Sequence, residues 1–372
     1  MANNVTLHQK NKDGAYDNLY PRTTADHTML TSATGNKYGL TDGNAEQAVS
    51  ISMQFIQTIG VISIYVFDPL NNPVEGAVIQ GVSGSPSTNA SGFVQGTLVA
   101  NPIIVKSPYV DLKDKSVDVS GYVGTTRALN VTLDSVSENK IVRYTSSTSV
   151  KFSPATKTID VCCVGAGGGG TPTIVYQTSV GGYSGWQGAG GGAGAIVNYY
   201  GVAVDPLTLY SIAIGQGASA STAVGANPTV GGSSSFDNLS AIGGNSSSYI
   251  LHDTGVGYMP IAGTAGLEGC GNGGDIGRAG SVGDGTSNTS ISEFDDGRTF
   301  YGGGGAAGGY NGGSPNGARG GYTYGVNIYD AAAAGIGGGG GGGYWRSANV
   351  GYQQSNPSSG GSGLVAIRIH LS

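Results

Sequence analysis

The stretch GYSGWQGAGGGAGA (182–195) sets glycine at 182, 185, 188, 191 and 194, one at every third position. The step recurs at 271, 274, 277, 280 and 283, and in shorter runs at 263, 266 and 269, at 302, 305 and 308, and at 337, 340 and 343. A polyproline-type helix turns once in three residues without internal hydrogen bonds, so this step gives it one face of bare backbone. Helices of that kind, laid side by side, can pair N–H and C=O groups laterally at a separation that any Cβ would prevent. Between Gly165 and Gly363 lie 58 of the 70 glycines in the chain. Glycine loses the most backbone entropy on folding and buries no side chain, so this composition cannot make an ordinary core.

Three readings compete. A flexible linker would lack apolar residues, yet TKTIDVCCV (156–164), LTLYSIAI (207–214) and GLVAIRIHL (363–371) interrupt the glycine as strand-like runs. Collagen needs an unbroken three-residue period with abundant proline, and neither is present. The favoured reading is an ordered scaffold of short strands and stacked polyglycine II-type helices.

Charge narrows the function. Residues 1–157 balance 12 basic against 12 acidic side chains, whereas the chain beyond Lys157 has no lysine and five arginines against eleven acids. A nucleic-acid binder needs a basic stripe, so that class is excluded. No apolar run is long enough to span a bilayer. The start, MANNVTLHQKNKDG, is polar without a secretory pattern, which predicts synthesis in a cytoplasm. Cys162, Cys163 and Cys270 make no disulfide framework, and the adjacent pair is expected to face opposite sides of a strand as small apolar residues.

The fold class is all-β, in three parts. Residues 1–57 read as an extended arm, polar and turn-rich, of the kind that docks on a partner. Residues 58–136 read as a small β-sandwich: IGVISIYVF (59–67), VEGAVIQGV (74–82), GTLVA, PIIVK, KSVDVSGYV and ALNVTLDSV are short strands separated by turn residues. Residues 137–372 form the glycine-rich part.

Chemistry-bearing motifs are few. VGAGGGG (164–170) contains G-x-G-x-x-G at Gly165, Gly167 and Gly170 after a strand. The following TPTIVY is helix-poor and no acidic residue lies at 181–195, so the dinucleotide fingerprint is incomplete. The four histidines are scattered, which argues against a zinc site. His252-Asp253 and Asp295-Asp296 read as solvated turn residues rather than a glycan-cleaving carboxylate pair, and the long β-helix repeat of depolymerases is missing. No catalytic residue, metal or cofactor is expected, and the protein is not read as an enzyme.

Aromatics say more. Tyr183, Tyr258, Tyr301, Tyr310, Tyr322, Tyr324, Tyr344 and Tyr352, with Trp186 and Trp345, sit beside or close to glycine. Tyr and Trp offer rigid amphipathic contact area while Ser, Gly and Asn offer adaptable hydrogen bonds, the make-up of antibody loops, and sugar faces stack on such rings. The candidate receptor-binding residues are Tyr258, Tyr301, Tyr310, Tyr322, Tyr324, Tyr344, Trp345 and Arg346. The competing reading makes each ring a filler wedged between glycine helices.

Resemblances extend this reading. Asp68, Pro73, Val74, Gly76, Ala77 and Val78, followed by Thr88 and Gly92, resemble the carboxypeptidase regulatory-like, transthyretin-type sandwich, except that Asn89 stands where Asp is usual. Such modules imply a spacer without catalysis. VKFSPATKTIDVCCVGAGGGG (150–170) resembles the opening of the glycine-rich domain of bacteriophage tail-fibre and other phage-associated proteins. Blocks at 188–204, 204–218, 231–244, 337–345 and 361–370 follow in that pattern's order, with a loop-rich insertion over 246–300 as the departure. NNVTLHQKNKDGAYDNLYPRTTADHTML (3–30) is similar to the amino-terminal segment of phage tail proteins. These resemblances imply a structural virion protein of a tail or baseplate, attached by its arm to other tail proteins and binding a host-surface glycan or protein distally. They also imply a homo-oligomer, with a trimer expected from resemblance alone. The alternative is a purely architectural tail decoration without receptor contact.

Overall fold

The computed structural model describes residues 7–10, 16–19 and 60–371, apart from 123–126, 222, 225, 227–228, 252–257, 267–271, 275–286, 292–293, 295–299, 310–316, 325–326, 331–333, 335 and 348–350. All regular elements among the described residues are strands. Of the arm, β1 (Leu7–Lys10) and β2 (Tyr16–Leu19) pair antiparallel, and the remainder up to residue 59 lies outside the described residues. The chain separates into two compact units, 1–108 with 112–135, and 109–111 with 136–372.

The first unit holds β3 (Val61–Phe67), β4 (Val78–Gln80), β5 (Phe93–Thr97), β6 (Ile103–Lys106), β7 (Lys115–Val117) and β8 (Leu129–Thr132). They form two three-stranded sheets, β5-β3-β8 and β4-β6-β7, with β3 and β8 parallel. Alternation along β3 buries Ile62, Ile64 and Val66, the pattern of a sheet with one face on a core. Turn residues fix the corners. The Asp68 carboxylate accepts from Asn72 N at 2.7 Å and Nδ2 at 2.9 Å. Thr88 Oγ1 donates to Val74 O at 2.6 Å and accepts from Ala77 N at 2.9 Å. Asn89 Oδ1 accepts from Ser91 N, Ser91 Oγ and Phe93 N, so its turn needs one side-chain oxygen and tolerates the amide.

The second unit begins with β9 (Ile141–Tyr144), β10 (Thr148–Val150), β11 (Thr156–Val164), β12 (Ile174–Gln177), β13 (Tyr183–Trp186), β14 (Ile196–Ala203), β15 (Tyr210–Ala213), β16 (Ser234–Phe236) and β17 (Leu239–Ala241). It continues with β18 (Ser248–Leu251), β19 (Tyr258–Ile261), β20 (Ser287–Ile291), β21 (Phe300–Gly303), β22 (Tyr322–Tyr324), β23 (Asn327–Tyr329), β24 (Trp345–Ser347), β25 (Tyr352–Gln354) and β26 (Leu364–Leu371). Two four-stranded antiparallel sheets, β14-β11-β26-β9 and β10-β15-β16-β17, enclose a core of Ile159, Val161, Cys163, Val365, Ile367 and Ile369 against Val150, Ile212, Ile214 and Phe236. The opposite face of β11 and β26, with Cys162, Val164, Leu364 and Ala366, is capped by Phe294 from the 246–300 insertion. Cys162 and Cys163 thus lie in different cores, both fully buried, and burial raises their thiols to about 12 and about 11.

Between the sheets and the hairpins lies the glycine lattice. Gly165, Gly168 and Thr171 donate backbone N–H groups to Ala195, Gly192 and Ala189, while Gly167 and Gly170 donate to Gly361 and Ser358. Gly188, Gly191 and Gly194 donate to Gly343, Gly340 and Gly337. Each step of three residues returns to the same neighbour, which is the lateral pairing of packed three-fold helices. A Cβ on Gly165, Gly168, Gly188, Gly191, Gly194, Gly305, Gly308, Gly339 or Gly342 would fall inside 3.0 Å of a neighbouring carbonyl. The step at 188, 191 and 194 therefore belongs to the lattice. Gly182 and Gly185, in step with it, instead lie in a hairpin turn and in β13. Where the lattice carries side chains they are small or polar: Ser246 Oγ accepts from Gly169 N at 2.8 Å, and Ser247 Oγ donates to Ala189 O at 2.9 Å.

Candidate functional site

The chain path gives the lattice two different ends. Segment 165–171 leaves β11 at the sheets and reaches hairpin β12–β13, and 188–195 returns to β14. Segment 337–343 runs from Gly337, beside Val164, to Gly343, whose N–H donates to Thr171 O at 3.0 Å, and then enters hairpin β24–β25. Gly321, which donates to Gly342 O, leads into β22–β23, and Ser247, bonded to Gly169 O and Ala189 O, leads into β18–β19. Four hairpins therefore gather at the end away from the sheets.

Hairpin β20–β21 is the exception. Gly305 donates to Gly191 O and Gly308 to Gly188 O, so segment 304–308 starts at the sheet end and climbs. Phe294, between β20 and β21, accordingly packs on the sheet, where Arg143 Nη2 donates to its carbonyl at 2.6 Å and the Arg368 guanidinium lies 4.8 Å from its ring centroid. Tyr301, on β21, belongs to that end and not to the hairpin cluster.

The other candidates divide. Tyr258 on β19 and Tyr322 and Tyr324 on β22 have strand positions in the clustered hairpins, and their side chains lie outside the described residues. Tyr310 lies outside them altogether, as do Cys270, His252-Asp253 and Asp295-Asp296. Tyr344 is half-buried. Trp345 is 7% exposed, and its backbone exchanges two bonds with the buried Gln187 side chain, N to Oε1 at 2.8 Å and O from Nε2 at 3.0 Å. Arg346 is half-buried, with Nε and Nη2 both donating to Gln353 Oε1 at 2.9 and 2.6 Å.

The structure also brings forward rings outside that candidate set. Tyr183 of β13 and Tyr352 of β25 meet with centroids 5.2 Å apart and planes tilted by 57°, joining two hairpins. Thr173 Oγ1 donates to Gln354 Oε1 at 3.1 Å across the same seam. Tyr249 is pinned by its hydroxyl to Pro172 O at 3.1 Å, and burial pushes its pKa up. The sequence signal for these residues is only that of an aromatic or amide beside a glycine run.

The G-x-G-x-x-G match has a lattice role. The amides of Gly165, Gly167 and Gly170 are spent on Ala195, Gly361 and Ser358, leaving no cradle for a phosphate. Among the described residues no group of three or more His, Cys, Asp or Glu side chains could hold a metal ion.

No curated protein matches the chain. Residues 144–370 match the glycine-rich domain family, an interval that begins at the last residue of β9 and closes within β26, and so takes in the remaining strands of both sheets, the lattice and the clustered hairpins. That match spans more than half of the sequence, and the chain belongs to the glycine-rich domain family.

Proposed function

We propose that this protein is a structural adhesin of a phage tail or tail-like particle, in which the hairpin end of the glycine-rich unit meets a host-surface receptor. The observation that carries the reading is the gathering of four tyrosine-bearing hairpins at one end of a cross-bonded lattice. Such a lattice fixes loop tips at little entropic cost on binding, which is how preorganised surfaces gain affinity. The transthyretin-type resemblance of the first unit suits a spacer, and the tail-protein resemblance of residues 3–30 suits attachment to the particle. With no lysine beyond Lys157, adhesion rests on stacking and hydrogen bonds and changes little with salt.

Truncation tests this. Particles carrying the chain without residues 140–372 should assemble and fail to adsorb. Failure to assemble would instead favour an architectural decoration protein without receptor contact.

A further inference from the structure

We infer, on the reading just proposed, that the seam between hairpins β12–β13 and β24–β25 is a binding cleft for an uncharged pyranose sugar. Register places its lining. Trp345 pairs with Gln354 and Ser347 with Tyr352, so Trp345, Tyr352 and Gln354 share one face of β24–β25. Arg346 and Gln353 occupy the other face, bonded to each other. On β12–β13, Gln177 pairs with Tyr183 and shares its face. The contact of Tyr183 with Tyr352 turns these two faces toward each other.

The chemistry of the seam is specific. Tyr352 is 42% exposed and meets the Tyr183 ring, so part of its ring stays open to a ligand while its rotation is restricted. Gln177 and Gln354 are exposed amides flanking the rings. Trp345 supplies an independent observation: its Nε1 is buried and has no hydrogen-bond partner. A buried unpaired donor is costly, and it marks a place where an acceptor from outside is favoured. Tyrosine rings for C–H faces, amides for hydroxyls and a waiting indole N–H make the combination that recognises a pyranose. Among the described residues of β24–β25 the one cation, Arg346, occupies the other face, so the lining suits an uncharged sugar better than an anionic one.

Saturation-transfer NMR of the full chain with methyl glucopyranoside, methyl galactopyranoside and methyl N-acetylglucosaminide at millimolar concentration tests the assignment. Expected is transfer to the ring C–H protons of at least one of the three. The signal should fall about tenfold or more in Tyr352→Ala and persist in Tyr352→Phe, as ring stacking requires. Trp345→Phe removes the N–H while keeping an aromatic ring, and should weaken binding in a chain that still folds, at the stability cost of a smaller buried ring. Transfer to none of the three, or undiminished transfer in Tyr352→Ala, overturns the inference. Adsorption separates the two levels: if Tyr352→Ala particles lose adhesion while no sugar gives transfer, the adhesin reading stands and the ligand is a protein. If adhesion is also unchanged, this end is not the adhesive one and both fall.

Discussion

Replacing Gly191 with alanine puts one methyl group where three lattice segments converge. The added Cβ would meet the Gly168 carbonyl, with Gly169 O next at 2.8 Å, and neither is the end of a flexible side chain. To restore an ordinary contact the segments must part by roughly 1 Å, which forfeits packing on both sides. Two bonds run through that position, Gly191 N to Gly340 O and Gly305 N to Gly191 O, and a third ties the obstructing Gly168 to the next residue, Gly168 N to Gly192 O, each 2.8 Å. Loosening three bonds at about 1 kcal/mol apiece, with overpacking of about 1–3 kcal/mol, outweighs the gain of about 0.4–1 kcal/mol from a stiffer unfolded chain. The expected net loss is about 3–5 kcal/mol. Gly351→Ala is the control, because that residue has φ +81° with open space around its Cβ position and should cost only about 1–2 kcal/mol of backbone strain. Urea unfolding followed by tryptophan emission isolates the right unit, since Trp186 and Trp345 are the only two tryptophans in the chain. A loss for Gly191→Ala no larger than for Gly351→Ala would refute close main-chain packing as the reason for the glycines.

Other expectations follow from the same contacts. Asp111 is fully buried and its carboxylate accepts from Ser153 N, Ser153 Oγ and Thr156 Oγ1, so Asp111→Ala should cost about 2–4 kcal/mol in urea unfolding, and Asp111→Asn less. Burial works to raise the Asp160 carboxyl, but the Gly201 N–H, His370 and Arg368 together hold it below the usual carboxylate range. With the folded pKa below the unfolded one, its contribution is complete above about pH 4 and disappears as pH falls through the lowered value, so Asp160→Asn should flatten the acid limb of a stability–pH curve. In a Cys270→Ser background neither remaining thiol should react with a thiol reagent at about pH 8, given burial that raises both. Phe294→Ala should open Cys162 alone to labelling, read by peptide mass spectrometry, because Cys163 lies in the other core.

Much of the scaffold is legible in the residues. TKTIDVCCV (156–164) and GLVAIRIHL (363–371) become β11 and β26, paired side by side, because β-branched runs bounded by glycine have few other options. The three-residue step is real where it repeats between buried backbones, at 188, 191 and 194 and at 337, 340 and 343. It misleads at 182 and 185, where glycine serves a turn and a strand, since spacing alone does not reveal which neighbour a bare face meets. The polar residues that replace lattice bonds, Gln187, Ser246 and Ser355, carry no periodic signal of their own. Tyrosine beside glycine marks hairpin residues such as Tyr183 and Tyr352, but the same signal marks Tyr301 at the sheet end and does not tell the inner side of a hairpin from the outer. Trp345 is buried where Gln187, at the foot of the neighbouring lattice segment, takes its backbone, a contact separated by 158 residues in sequence.

Backbone amide exchange, resolved residue by residue across 165–171, 188–195 and 337–343, tests the central claim most directly. Cross-bonded amides should open only with global unfolding, whereas the tip of hairpin β12–β13 around Val180 should exchange early. Exchange of the lattice amides as fast as that tip would contradict it.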